Sequence, residues 1–292
     1  MRFEEIGRLQ SKNKVNIDKL TVQKYNKTNY SLSMHFLHPI YTTPSNVSSF
    51  LKNRGFCILD ASSVAVWLNC STKELDSLSP SWDNLPSDNY LKDGGHYRRR
   101  RHSSFVFENN VCAQVSHRAH WQPPDYNALH GGMERWFEPI LDNTIIQPTW
   151  SKILTKLANT AAELNAFKEQ RWCIEAHQFR IDTSDGIGRP TPEGAHRDGV
   201  DWVAVFMVNR KGIKGGETRV FEADGPHGER FTLSEPWSLL LLNDARMIHE
   251  STPIQPLTES GYRDTLVVTL RENFFQDPVG KNVFEPSTSC SD

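Results

Sequence analysis

The sequence predicts a mainly β protein with supporting helices, its strands forming a sandwich or barrel. Two observations carry that expectation. Between residues 172 and 272 the runs WCIEAHQFRI, DWVAVFMV, ETRVFEA, PWSLLLL and DTLVVTL are short, rich in β-branched and aromatic residues, and punctuated by Gly, Pro or Asp. Strands of that length at that spacing fit a sandwich or barrel and not a βαβ sheet. The helical pattern, in contrast, lies upstream. From 149 to 168 the residues Trp150, Ile153, Leu154, Leu157, Ala161, Leu164 and Phe167 recur at three- and four-residue steps and make one apolar stripe.

Taken in order, residues 1–35 are polar, with Lys12, Lys14, Lys19, Lys24 and Lys27, and read as an arm. A single domain is expected over 36–272, with a helical and irregular part at 36–171 and a β core at 172–272. Residues 62–79 form a weaker helical candidate with Val64, Trp67 and Leu68 on one side, and Thr149 after Pro148 is a candidate N-cap for the long helix. Residues 273–292 read as a frayed tail.

Composition sets bounds on function. The 292 residues carry 33 Lys plus Arg against 35 Asp plus Glu, a formal net charge of −2. That balance argues against a nucleic-acid binder, which needs a positive excess or a dominant basic face. The cysteines at 57, 70, 112, 173 and 290 have no Cys-x-x-Cys pair, so neither a thiolate zinc site nor a redox motif is expected. Apolar runs such as Trp202 to Val208 span about a third of a membrane. With no signal-peptide pattern at the start, the expectation is a soluble cytoplasmic protein with reduced thiols.

The chemistry concentrates in two clusters. His196 and Asp198 stand two residues apart just before the apolar strand 202–208, so on extended chain they project to the same side and can converge on one ion. His249 follows the strand Trp237 to Leu242 and the turn Asn243-Asp244-Ala245. Two His and one carboxylate on one face, with other positions open, make the facial triad of non-haem Fe(II) oxygenases. Arg263 opens a neighbouring strand, and Thr265, two residues on, points the same way. Together they suit the distant carboxylate of a chelating oxoacid.

HRDGVDWVAVFMVNR, KGGETRVFEADG, LLLLNDARMIHESTPI and GYRDTLVVTL together resemble the Fe(II)/2-oxoglutarate dioxygenase superfamily. More narrowly, they are similar to its branch of bacterial L-isoleucine hydroxylases, which act on free amino acids. NALHGGMERWFEPI and the Tyr97 to Arg101 region fit the same branch, and the resemblance covers about residues 90–272. It implies a double-stranded β-helix (jelly-roll, cupin-like) core, and metal ligation by His196, Asp198 and His249. It also implies that Arg263 binds the C5 carboxylate of 2-oxoglutarate. Fe(II) would then be the metal, with 2-oxoglutarate and O2 as cosubstrates and succinate and CO2 released as a C–H bond is hydroxylated.

Weaker signals remain open at this level. Arg98 to Arg101 read first as a solvated charge run; alternatively the strand period sends at most two of them into the pocket. On the strand from 172, His177, Phe179 and Ile181 share one face, and Gln178 and Arg180 the other. Either face can point inward. Arg98, Arg100, Gln178, Arg180 and Trp202 are the candidate substrate contacts, although Trp202 reads equally as core. Asp201 is a candidate support for the metal pocket. Gly215-Gly216 read as a turn, and Tyr126 to Phe137 as either a lid loop or a buried turn; His130 is a ligand candidate only if His249 is not one. The expected partner is a small molecule, with no nucleic acid, no membrane and an open oligomeric state. Competing readings are desaturation or cyclisation by the same iron site, a zinc hydrolase or cupin-type isomerase, and a binding module that keeps metal for stability. Only the 2-oxoglutarate readings need Arg263 and Thr265.

Overall fold

Helix α1 (Val47–Arg54) stops at Gly55, whose φ of 79° closes the helix in the left-handed region. A Cβ there would sit 2.6 Å from the Met247 sulfur, so the chain also needs glycine for space. It leads into strand β1 (Phe56–Leu59), then α2 (Ala61–Trp67), capped by the Asp60 carboxylate accepting from the Ser63 N–H. Where the sequence reads one helix over 62–79, the structure has two. Asn69 turns out of the helical region at φ 52°, and α3 (Thr72–Asp76) restarts on a reciprocal cap between Ser71 and Glu74.

The computed structural model describes residues 38–165, 171–259 and 261–278. The expected arm at 1–35 lies outside them, as do residues 279–292. Next in the chain come β2 (Arg98–Glu108), β3 (Val111–Gln114), the short α4 (Asp142–Ile145) and α5 (Pro148–Leu164). Pro148 occupies the first turn of α5 and Gln147 is its N-cap, so Thr149 lies inside the helix, where it is buried. The strands that follow are β4 (Trp172–Asp182), β5 (Trp202–Lys211), β6 (Ile213–Gly215), β7 (Thr218–Glu222) and β8 (Gly228–Phe231). The last are β9 (Ser238–Asn243), β10 (Met247–Ser251), β11 (Ile254–Pro256) and β12 (Tyr262–Glu272).

All pairings are antiparallel. The main sheet has seven strands in the order β1-β9-β5-β12-β4-β2-β3, and two smaller sheets pair β10-β7-β8 and β11-β6. Apart from the β2-β3 and β7-β8 hairpins, the paired strands are far apart in sequence, as in a jelly roll. The strand-rich region is not confined to 172–272: β1, β2 and β3 complete the main sheet from upstream.

Period-two alternation assigns the two faces of the main sheet. On one, Leu266, Val268 and Leu270 of β12, Trp202, Ala204 and Phe206 of β5, and Ile174 and Ala176 of β4 pack with Trp150, Ile153 and Leu157 of α5. Full burial of side chains this size stabilises by about 1.5–3 kcal/mol each. On the other face, Val203 and Met207 meet Val220 and Phe231 of the small sheet in a second apolar cluster. Beside that cluster the inner face turns polar, and a cavity opens there. Among the described residues no helix is long and apolar enough to cross a membrane.

Candidate metal centre and its cavity

His196 and His249 are held opposite each other by a reciprocal backbone pair, each N–H donating to the other's carbonyl at 3.0 Å. Asp198 reaches the same point from an anchored turn. The buried Asp244 carboxylate accepts from the backbone N–H groups of Asp198, Gly199 and Val200 at 3.0, 2.8 and 3.1 Å. Burial, and then the charge of Asp198, raise the Asp244 carboxyl to about 7. From below, the Gln276 amide donates to the carbonyls of Asp198 and Gly199 at 3.0 and 2.7 Å. Residue 276 belongs to the stretch that the sequence reads as a tail, yet it is buried against the site.

One donor atom from each of His196, Asp198 and His249 lies within 4.8 Å of the others. His196 Nε2 is 3.8 Å from one Asp198 oxygen, and His249 Nε2 is 3.8 Å from the other. Nδ1 of His196 donates to the Gly194 carbonyl at 2.9 Å, which leaves Nε2 as the bare ligand nitrogen. Burial works against a charged His196, but the Asp198 and Glu193 carboxylates outweigh it and raise its pKa. Burial, and then His196, hold His249 well below the usual range, so it stands neutral, as a ligand must. This nitrogen, nitrogen and carboxylate donor set, open on its cavity side, fits a non-haem iron.

Arg263 and Thr265 alternate inward on β12 and line the same cavity. Arg263 is 4% exposed, and its Nε has no hydrogen-bond partner. Burial, and then Arg210, lower its pKa to about 10, so it remains a cation at neutral pH. A buried guanidinium with an unused donor beside an iron-type triad is what the far carboxylate of 2-oxoglutarate requires. Gly215 and Gly216 form the expected turn, with φ of 80° and 69°.

The run of arginines is not a solvated face. On β2 the side chains alternate: Arg98 and Arg100 are buried on the cavity side, while Arg99 is exposed. Asp88 neutralises Arg98 at 2.7 Å. Arg100 lies over the rings of Phe137 and Phe179, 3.7 and 4.3 Å from their centroids.

Three expected substrate contacts fall on the wrong face. On β4 it is Glu175, His177, Phe179 and Ile181 that line the cavity. Gln178 points away and donates to Ser81 at 2.7 Å, and Arg180 forks onto Asp264 with two bonds of 2.7 Å. Trp202 belongs to the helix-covered core. Asp201 ties strand ends together, accepting from the Glu272 N–H at 2.7 Å.

Other cavity residues were not legible as a set: His120, Gln122, Asn127, Arg135, Glu175 and Glu193. Four of them sit on the segment from 117 to 138, cross-linked by backbone bonds between His120 and Arg135. Gly131 is wedged there, and an added Cβ would meet the Asn127 carbonyl oxygen at 2.4 Å. That favours the buried turn over a glycine pivot. His130 lines the cavity but is in neither metal-type cluster. Gln122 links two parts of the site. Its amide N–H donates to Asp198 at 3.1 Å, and its oxygen accepts from Arg135 at 2.9 Å and Asn127 at 3.0 Å.

The model of a family described as 2OG-Fe dioxygenase matches residues 79–269. Among solved structures, a bsmA homolog (Mpe_A2762) from Methylobium petroleophilum is 50% identical with a TM-score of 0.78, and the match covers 84% of this chain and 99% of that one. IDO from Bacillus thuringiensis is 18% identical with a TM-score of 0.65, covering 82% and 100%. The Fe(II)/α-ketoglutarate-dependent dioxygenase TqaL is 19% identical with a TM-score of 0.61, covering 78% and 86%. The last two likenesses speak for the fold alone. None of the curated proteins matches the chain.

Proposed function

This chain belongs to the 2OG-Fe dioxygenase family, and from that premise we propose that it hydroxylates an unactivated C–H bond of a free amino acid or a closely similar small zwitterion. Membership makes it a 2-oxoglutarate-dependent dioxygenase, and sets aside the hydrolase, isomerase and binding-module readings. The family uses Fe(II), 2-oxoglutarate and O2; 2-oxoglutarate would leave as succinate and CO2, with one oxygen atom of O2 in the succinate and the other in the hydroxylated product. His196, Asp198 and His249 would hold the iron. Arg263 would pair with the 2-oxoglutarate tail, with the Thr265 hydroxyl beside it.

The observation that carries the substrate class is the fixed charge left over once those roles are filled. Arg98 is spent on Asp88. Arg100, 3.8 Å from the same Asp88 carboxylate, and Arg135 line the cavity as buried cations, with Glu175 as a buried and Glu193 as a half-buried carboxylate. A wall that carries both signs suits a molecule with a carboxylate and an ammonium group. Phe179, Ile181, Val205 and Val267 offer apolar contact for a side chain and help exclude water. The likeness to the isoleucine-hydroxylase branch, read from the motifs above, points the same way.

The test is a panel of free amino acids incubated with Fe(II), ascorbate and 2-oxoglutarate. At least one is expected to gain a single oxygen while succinate accumulates. Oxygen gained only by peptide-, carrier- or nucleotide-linked compounds would overturn the reading. A product lighter by two hydrogens would mean desaturation or ring closure at the same centre.

A further inference from the structure

Resting on the amino-acid reading above, we propose that Glu175, clamped between His102 and His120, is the seat of the substrate ammonium group, beside Arg100 and Arg135 as the carboxylate seat.

His102, His120, Glu175 and His177 are all buried, and one donor atom of each lies within 4.8 Å of the others, a spacing also suited to a metal ion. One contact argues against a cation there. Arg100 approaches His177 Nδ1 at 2.7 Å. A guanidinium can only donate, so Nδ1 is the bare nitrogen and the ring proton sits on Nε2, closing it to a metal. The same contact brings a full positive charge against the cluster. The Glu175 contacts, for their part, have hydrogen-bond geometry: one oxygen meets His102 Nε2 at 3.1 Å, the other His120 Nδ1 at 3.3 Å.

The proton inventory then follows. Burial keeps His102 and His120 below the usual histidine range, so each is neutral and gives its one N–H to Glu175. Burial opposes the Glu175 charge, but the two histidines outweigh it and hold the carboxyl far below its ordinary value. A carboxylate has about four acceptor positions, and only two are filled. With its proton on Nδ1, His120 keeps a bare Nε2. Both residues line the cavity that contains the iron-type triad. An anion with spare acceptors and a neutral acceptor beside it form a receptor for N–H donors. Close by, Nε of Arg100 and Nε of Arg135 have no hydrogen-bond partner. Glu193 is the rival carboxylate, but its oxygen lies 3.4 Å from His196 Nε2, which places it at the edge of the metal position.

The experiment compares each amino acid found active in the panel with its 2-hydroxy analogue, in which hydroxyl replaces ammonium. If no free amino acid is oxidised, it is the parent reading that has failed. If one is, the wild type should prefer it over the analogue in kcat/KM by about a hundredfold or more, since the analogue keeps a hydrogen-bond donor but leaves a buried charge unpaired. Equal efficiency on both would overturn the proposal without any variant. Glu175→Gln should collapse the preference to within about tenfold, chiefly by raising KM for the amino acid, with the 2-oxoglutarate requirement unchanged. Full preference kept in Glu175→Gln, or preference erased by Glu193→Gln instead, would refute it. A last arm addresses the cation. His196→Ala protein dialysed against Zn(II) and then buffer should retain no metal at the cluster. One equivalent kept there, and lost on adding Glu175→Gln, would make it a metal site.

Discussion

Asp244 takes up the backbone donors of the Asp198 turn, so the Asp198 carboxylate faces the cavity with the Gln122 amide on one of its oxygens. Each of the three proposed ligands is unique, and an open iron site has no spare donor to replace one. His196→Ala, Asp198→Ala and His249→Ala should therefore each abolish 2-oxoglutarate consumption while circular dichroism stays that of the wild type; full turnover in Asp198→Ala would remove the triad assignment. Arg263 supports a second expectation. Its planar fork is buried without a matching carboxylate bond among the described residues, so losing it costs the desolvated pairing with cosubstrate, about 2–5 kcal/mol. Arg263→Ala should raise the 2-oxoglutarate requirement by at least about thirtyfold and leave Fe(II) binding intact, as read by titration of initial rates and by iron content.

Among the elements, legibility followed the number of buried faces. The stripe on α5 is readable because its opposite side meets solvent, and the strands β5, β9 and β12 are readable as apolar runs. The proposed triad and Arg263 were offered by the motif resemblance as much as by spacing: His196 and Asp198 stand two residues apart, but His249 and Arg263 lie on other stretches of chain. β4 was not: helices cover one face and the cavity wall the other, so both are buried and periodicity has nothing to distinguish. That is why the sequence left either face open and offered Gln178 and Arg180 as candidate contacts, while Glu175 and His177 occupy the place. The wall built by His102 on β2, His120 on the following segment and Glu175 on β4 comes from three separated stretches of chain, beyond any local pattern. It should carry a pH signature. His120 has its pKa lowered by burial to about 4, so the unfolded chain takes up a proton near 6.5 that the native protein refuses. Stability is then fully present above that range and falls as pH drops from about 6.5 to 4. The urea midpoint should decline across this window, and less steeply in His120→Gln; equal slopes would show that the ring does not titrate in the unfolded state alone.

For the molecule as a whole, the near-neutral net charge of −2 conceals a cavity dense in ionised groups of both signs. Its apolar support lies elsewhere, in the helix-covered core and the cluster between the sheets. Ligands that neutralise the cavity should accordingly stabilise the fold by mass action. Mn(II) with 2-oxoglutarate, each at about 100 times its Kd, adds about 2.7 kcal/mol per site, or roughly 4 °C in Tm per site for a chain of this size. The rise should be seen by calorimetry in the wild type and be missing in His196→Ala. A like rise in both would place the binding outside the triad.

Gln122 makes one amide answer to two masters: its N–H holds the Asp198 carboxylate while its oxygen is held by Arg135. A substrate carboxylate that draws Arg135 would also pull on the amide that holds Asp198, the proposed ligand. Such a linkage would tie cosubstrate consumption to an occupied substrate seat. Gln122→Leu cuts the link without touching either end. It should raise the share of 2-oxoglutarate consumed without product, measured as the ratio of succinate to hydroxylated amino acid; a ratio equal to that of the wild type would mean that the amide is mere scaffolding.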